Sequence, residues 1–116
     1  MSTVPTASPL SDLDYQRETQ ALLARIEAQA DTWLQEDVID IDTHRTGGLL
    51  ELMFPNGSKI IINTQPPLQE VWMAAKAGGF HYRFSGGQWL DTRDGSEFIE
   101  ALSSHASTQG GKPLAF

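Results

Sequence analysis

The sequence of 116 residues contains no cysteine. Disulfide bridges, thiolate catalysis, cysteine-based zinc sites and iron–sulfur clusters ligated by this chain are therefore excluded. Any metal that binds must be held by oxygen or imidazole ligands. The sequence also lacks any apolar run approaching the roughly 20 residues of a membrane-spanning helix, so we expect no membrane partner.

Basic residues are scarce as well. The chain carries 8 Lys and Arg residues against 15 Asp and Glu, which gives a formal net charge of −7 at pH 7. A phosphate backbone repels such a surface, whereas cations and basic proteins are attracted to it. We therefore expect no nucleic-acid partner.

The first ten residues differ in composition from the rest of the chain. Residues 1–10 are rich in Ser, Thr and Pro without periodicity, which predicts a flexible leader. They lack the features of a secretory signal or a mitochondrial transit peptide, so a cytoplasmic location is expected. Residues 11–116 suffice for one domain with a real core and are too few for two.

A helical period begins at Tyr15. Apolar and small residues recur every three or four positions, which predicts a long helix with one buried face. That face contains Tyr15, Leu22, Leu23, Ile26, Ala30 and Trp33. Ser11 or Asp12 is the expected cap at the helix start.

After Trp33 the period changes from 3.6 to 2, which is typical of strands. In VIDIDTHR, Ile39 and Ile41 alternate with Asp40 and Asp42. Five further strand-like segments follow, namely GLLELMF, SKIIIN, QEVWMAA, GFHYRFS and QWLDT. Gly and Pro pairs separate them, and Asn56-Gly57 suits a type I′ hairpin turn. The pattern predicts six consecutive antiparallel strands.

The last element, SEFIEALSSHA, returns to the helical period. Asp94 or Ser96 is its expected cap. A helix, about six antiparallel strands and a second helix predict an α+β, two-layer sandwich with both helices packed on one face of the sheet.

One face of this sheet must then meet water, and its predicted residues are not all polar. Met53, Ile61 and Trp72 alternate with core positions and so point away from the helices, with Asn63 and Gln65 around them. An exposed apolar patch with a polar rim is typical of a partner surface.

Residues 27–42, EAQADTWLQEDVIDID, contain six carboxylates and no Lys, Arg or His. Several lie at the predicted C-terminal end of the first helix, where each anion costs about 0.3–1 kcal/mol. A cation or a basic partner would relieve their repulsion, and oxygen ligands suit calcium, magnesium, manganese and iron. Without a calcium-loop glycine or a closed cage, binding should be weak and tolerant of several metals. We name these six residues the acidic ridge: Glu27, Asp31, Glu36, Asp37, Asp40 and Asp42.

No catalytic constellation is evident. Ser104-His105 makes no triad, and His44, His81 and His105 fall on three different elements. An exposed ridge also lacks the buried carboxyl that acid–base catalysis needs. We therefore expect a non-catalytic protein. A ferroxidase and a protein-interaction module with incidental divalent-cation binding stay open as alternatives.

The stretch NGSKIIINTQPPLQEVWMAAKAGGFHYRF, residues 56–84, closely resembles the bacterial frataxin family of CyaY-type proteins. The resemblance extends over roughly residues 13–109 and implies a frataxin-like sandwich. It also implies an adaptor of iron–sulfur cluster assembly that binds Fe²⁺ and Fe³⁺ weakly at the acidic ridge and is a monomer without iron. The implied partners are cysteine desulfurase and the scaffold protein. Asn63, Gln65 and Trp72 match the family's partner-facing positions.

Three positions depart from the family pattern. Thr64 stands where many relatives have Arg, and Ala28 and Thr32 stand where relatives often have an acid. The resemblance therefore predicts one cationic partner contact fewer and weaker metal binding at the helical half of the ridge.

Overall fold

The computed structural model describes residues 10–116, which form two helices and one antiparallel sheet. The elements are α1 (Asp12–Gln35), β1 (Asp42–Thr46), β2 (Leu49–Met53), β3 (Lys59–Gln65), a 3₁₀ helix (Pro66–Leu68), β4 (Glu70–Ala75), β5 (Gly78–Ser85), β6 (Gln88–Asp91) and α2 (Phe98–Gly110). The strands pair in sequence order, and both helices cover one face of the sheet. The predicted two-layer α+β sandwich is confirmed.

The predicted leader lies outside the described residues except for Leu10. This residue is attached to the domain, because its backbone N–H and C=O both bond to the side-chain amide of Gln69. Among residues 10–116, neither helix has the length and apolar composition that crossing a membrane requires.

Ser11, the first of the two predicted caps, is the N-cap of helix α1. The Ser11 hydroxyl accepts a hydrogen bond from the backbone N–H of Asp14 at 3.0 Å, which satisfies one of the open N–H groups of the first turn. The predicted apolar face is buried as expected, and Thr19 joins it.

Helix α1 has a specific C-terminal ending, and the first strand begins several residues after it. The Val38 N–H donates to the Trp33 carbonyl at 2.8 Å and the Asp37 N–H donates to that of Leu34, while Asp37 has φ +60°. This is a Schellman ending with aspartate at the left-handed position. The predicted strand start at Val38 is wrong, because β1 begins at Asp42, opposite the last residue of β2, Met53. Ile39 and Ile41 are nevertheless buried in the link.

The predicted type I′ turn at Asn56-Gly57 is also wrong. Phe54 accepts a hydrogen bond from Gly57 N–H at 2.9 Å and donates one to Ser58, so the connection spans five residues. Gly57 has φ +86°, but Asn56 is not at positive φ, which a type I′ turn requires. Pro55, with its fixed negative φ, favours the first central position of an ordinary β-turn instead.

The two faces of the sheet follow the predicted alternation. The side chains toward the helices are fully buried: Leu50, Leu52, Ile60, Ile62, Val71 and Met73. Met53, Ile61 and Trp72 lie on the other side, the outer face, and are partly exposed. Trp33 is buried as predicted, and Trp89 is buried between Tyr15 and Phe84.

Helix α2 uses neither of its predicted caps. The Glu97 carboxylate accepts hydrogen bonds from the N–H groups of Ile99 and Glu100, at 2.7 and 3.0 Å. Asp94 instead accepts from the Ser96 N–H, within the turn that precedes the helix. The β-bridge between Leu90 and Glu97 holds the chain in an extended conformation up to Glu97, so the helix begins only at Phe98.

Candidate functional site

The acidic ridge follows the chain from α1 to β1. Glu27 and Asp31 lie on α1, Glu36 caps it, Asp37 occupies the left-handed position after it, Asp40 lies in the link, and Asp42 begins β1. All of them except Glu27 are exposed. Because α1 and β1 lie beside each other, the helical and strand carboxylates belong to one edge of the molecule.

Glu27 is neutralised within the chain, contrary to the expectation of an unanswered cluster. Its carboxylate lies 2.7 Å from a guanidinium nitrogen of Arg45 on β1, and Arg45 also bonds to Gln20. The Glu27 and Arg45 side chains are only 28% and 25% exposed. The arginine reaches α1 because it lies opposite buried Leu50, on the helix side of the sheet.

The other five ridge residues have no basic group within ion-pair distance among residues 10–116. The Lys112 ammonium lies close by, but it donates to the backbone carbonyl of Val38, at 2.5 Å. Within the described chain, no three His, Asp or Glu side chains are grouped to hold a metal ion. The ridge is therefore an open negative surface rather than a closed coordination cage.

The three predicted partner-facing residues come together on the outer face of the sheet. Asn63 on β3 lies directly across from Trp72 on β4, and Gln65 lies across from Glu70. The Trp72 indole stacks on the His81 ring of β5, with centroids 4.2 Å apart and planes within 5°. The strand pairing, which a sequence alone does not give, brings these side chains into one patch.

Three further residues of this patch, Glu70, His81 and Arg83, were not predicted. The buried Glu70 carboxylate accepts hydrogen bonds from Trp72 Nε1 at 2.8 Å and from Arg83 Nε at 2.9 Å. His81 Nδ1 lies 3.7 Å from the same carboxylate. The alternation that places Trp72 outward also places Glu70 outward, and this signal could have identified it.

An apolar groove of about 210 Å³ runs beside the Trp72 indole. Ile61, Ala74 and Phe80 line it, and the space beside the Gly79 Cα is open. The groove is large enough to accept an apolar side chain, and Asn63 is among its lining residues.

Tyr15 connects helix α1 to the strand ends that carry this patch. Its hydroxyl donates to the Glu70 carbonyl at 2.6 Å and accepts from the Gln65 N–H at 3.0 Å. Burial, the main cause, and the nearby Glu70 charge raise the pKa of the Tyr15 phenol, while the Gln65 hydrogen bond opposes the rise. A neutral, buried phenol therefore fixes the start of β4.

Comparison with known proteins places this architecture in a family. Residues 8–112 match the family model described as a frataxin-like domain. The chain is 56% identical over 107 residues to the iron–sulfur cluster assembly protein CyaY of Polaromonas sp. strain JS666, covering 92% of each chain. It is 54% identical to the protein of the same name from Burkholderia mallei, covering 92% of this chain and 98% of the relative. The chain belongs to the frataxin-like family, as the resemblance indicated.

Solved structures agree with this assignment. The frataxin of Psychromonas ingrahamii, described as a member of the CyaY family, superposes with a TM-score of 0.80 at 34% identity, over 91% of this chain and 97% of that one. A trimeric frataxin from Saccharomyces cerevisiae, complexed with ferrous iron, shares the fold with a TM-score of 0.66 at 22% identity, over 93% of each chain.

Proposed function

We propose that this protein is a non-catalytic adaptor of iron–sulfur cluster assembly that works in the cytoplasm. It holds Fe²⁺ or Fe³⁺ weakly at the acidic ridge and docks on cysteine desulfurase and the scaffold protein. The proposal agrees with the function of its CyaY relatives, which are iron–sulfur cluster assembly proteins. Iron is cargo here, not a resident cofactor.

The observation that carries the proposal is the set of exposed ridge carboxylates without an ion pair in the described chain. Two like charges about 7 Å apart repel by roughly 0.6 kcal/mol in water, and the repulsion grows where solvent is partly excluded. Hard cations such as iron favour carboxylate oxygens. An open arrangement supports weak binding and easy release, which suits a carrier better than a permanent site.

Docking has a separate basis on the outer face of the sheet. Trp72 is a partly exposed aromatic residue beside an apolar groove, with Asn63 and Gln65 around it. Aromatic side chains of this kind are frequent anchors in protein interfaces, with polar residues at the rim. The ridge adds charge attraction toward a basic partner, so iron and partner compete for the same carboxylates.

A paired charge-reversal experiment tests the shared surface. Asp40→Lys with Asp42→Lys should weaken both iron binding and capture of cysteine desulfurase. The matched control is Glu18→Lys with Glu100→Lys, which changes the net charge equally at positions off the ridge. Normal iron binding and normal capture by the ridge variant, measured by titration and by pull-down with and without iron, would refute the proposal.

A second candidate is an interaction module in which bound metal is incidental. It is favoured by the absence, within residues 10–116, of a group of side chains arranged to hold a metal. Titration with iron in the absence of partner separates the two. The adaptor binds iron at the ridge on its own, whereas the module shows no binding that depends on Asp40 and Asp42. Oxygen-dependent iron turnover would instead indicate a ferroxidase.

A further inference from the structure

Four side chains form a square on the outer face of the sheet. Glu70 and Trp72 lie two apart on β4, and His81 and Arg83 lie two apart on β5. The register pairs Glu70 with Arg83 and Trp72 with His81. Residues two apart in a strand share a face, and directly paired residues are close enough for side-chain contact. Strand pairing therefore places these four residues next to one another whatever rotamers their side chains adopt.

Glu70 is the unusual member of the square, because a carboxylate on the outer face is only 5% exposed. A buried carboxylate is costly unless it is paired and hydrogen-bonded. The Arg83 guanidinium provides the charge, donating to Oε2 at 2.9 Å, and the Trp72 indole N–H donates to Oε1 at 2.8 Å. Both oxygens are thus occupied by neighbours in the square.

The bond to the indole N–H restricts how Trp72 can be presented. Tryptophan has a single polar donor, so a fixed acceptor selects one orientation of the ring. In that orientation the indole lies parallel to the His81 ring, which is itself close to the Glu70 carboxylate. Without Glu70 nothing else in the described chain accepts the indole N–H in this structure.

We propose that Glu70 is a positioning residue of the docking surface. It is held by Arg83, and it fixes Trp72 and His81 as a preformed stacked pair for the protein partner. The inference rests on the proposed docking of the outer face. Side chains that are already ordered lose less conformational entropy when a partner binds, so Glu70 increases affinity without touching the partner.

The orientation of Trp72 can be measured without a partner. Trp33 and Trp89 are buried, so acrylamide quenching of fluorescence reports mainly on Trp72. We expect Glu70→Ala to increase quenching and to speed hydrogen exchange of the Trp72 indole N–H, assigned by its loss in Trp72→Phe. Glu70→Gln should retain much of the protection, because an amide oxygen still accepts the N–H. Glu100→Gln, an equal charge change on the helical layer, should alter neither signal.

Removing Glu70 alone leaves the Arg83 guanidinium without its carboxylate partner, which destabilises the domain. Glu70→Leu combined with Arg83→Leu avoids this, because both charges leave together and apolar groups replace them. This double variant should fold, as judged by circular dichroism and a cooperative melt. It should still show the increased quenching of Trp72, since no acceptor for the indole remains.

Binding to the cysteine desulfurase and scaffold proteins completes the test. Trp72→Ala and the folded double variant should each weaken binding at least about fivefold, with Glu70→Gln intermediate and Glu100→Gln unchanged. If Trp72→Ala binds normally, the docking proposal itself fails. If Trp72→Ala binds weakly, the docking proposal stands. The positioning role is then overturned if Glu70→Ala and the double variant bind normally, or if they leave the quenching and exchange of Trp72 unchanged.

Discussion

The guanidinium of Arg45 on β1 lies 2.7 Å from the carboxylate of Glu27 on α1. The two residues are 18 positions apart in the chain, and their contact closes the gap between the first helix and the edge strand. It divides the acidic ridge into one neutralised member on the helix and five members without an ion pair in the described chain. In the proposed cation surface, Arg45 therefore neutralises one of the six carboxylates.

Removing this arginine should strengthen cation binding. Arg45→Gln frees the Glu27 carboxylate, so we expect the affinity for Fe²⁺ to rise by about two- to fivefold, since one more charge faces the ion. The lost pair is half-buried, and its removal should lower the free energy of unfolding by about 1 kcal/mol. Anaerobic iron titration and chemical denaturation measure the two effects.

Arg17→Gln is the matched control for this prediction. The Arg17–Asp14 pair also has a 2.7 Å separation, but its side chains are 64% and 43% exposed. It lies near the start of α1, whereas the ridge follows the end of that helix. Both iron affinity and stability should stay near the wild-type values. An iron affinity that does not respond to Arg45→Gln would contradict the assignment of Glu27 to the ridge.

Asp37 combines two unfavourable features, so its replacement by glycine should stabilise the protein. It has φ +60°, where a Cβ is unfavourable, and it places an anion at the negative end of α1. We expect Asp37→Gly to raise the free energy of unfolding by about 1 kcal/mol and to weaken iron binding. Asp37→Asn removes only the charge and should give a smaller gain.

Gln69 provides the contrast, since it also lies in the left-handed region, at φ +51°. Its side-chain amide exchanges two hydrogen bonds with the backbone of Leu10. Gln69→Gly removes the backbone strain of the positive φ but also removes both hydrogen bonds. We therefore expect no net gain in the free energy of unfolding, measured by chemical denaturation. Equal stabilisation by both glycine variants would show that the Gln69 bonds contribute nothing.

Tyr15→Phe should destabilise the domain by about 1–3 kcal/mol, because the Gln65 N–H and the Glu70 carbonyl both lose a partner. Thr19→Val is a suitable control on the same buried helix face, since its hydroxyl bonds only to carbonyls of α1. Thr19→Val should lower the free energy of unfolding, measured by chemical denaturation, by less than Tyr15→Phe does. Equal losses would mean that the Tyr15 hydroxyl does not stabilise the junction of β3 and β4.

Alkaline pH should unfold the protein through its two tyrosines. Burial, followed by the charge of Asp91, raises the pKa of Tyr82 far above its ordinary value of 10.0, and burial raises that of Tyr15 less strongly. A raised folded-state pKa means that the folded state holds the proton more tightly than the unfolded chain. The stabilisation is complete below pH 10 and decreases as the pH rises from there toward the folded-state pKa.

Tyrosinate absorbance and denaturation at several pH values measure this loss. Above pH 10 each raised tyrosine should reduce stability by up to about 1.4 kcal/mol per pH unit. Tyr82→Phe should flatten the slope. Ionisation of both tyrosines near pH 10 in the folded protein, without loss of stability, would be incompatible with their burial.

The sequence predicted the sheet faces well because alternation is a local signal. Trp72 could be placed outward and Met73 inward from their neighbours alone, and the structure agrees. The cap of α2 could not be chosen in the same way, since Asp94, Ser96 and Glu97 all have suitable side chains. The bridge between Leu90 and Glu97 makes the choice, and that contact depends on the tertiary fold.

The candidate site was predictable to a similar extent. The carboxylates of the ridge are visible as a run of letters, but their partners are not. Arg45 reaches Glu27 across two elements, and Arg83 reaches Glu70 across a strand pair. Both pairs depend on register and packing, which a single sequence does not contain. Local pattern thus identified the ridge acids but not Glu70, and only the fold showed that Glu27 and Glu70 each have an arginine partner.

The central claim is that the ridge carboxylates repel one another and that a bound cation relieves this repulsion. Thermal unfolding with and without cations tests it most directly. Wild-type Tm should rise with Fe²⁺ under anaerobic conditions, and also with Ca²⁺ or Mg²⁺. Asp40→Asn with Asp42→Asn should start from a higher Tm and gain less from each cation, because part of the repulsion is already gone. A wild-type Tm indifferent to every cation, and unchanged by the double substitution, would contradict the proposed role of the ridge.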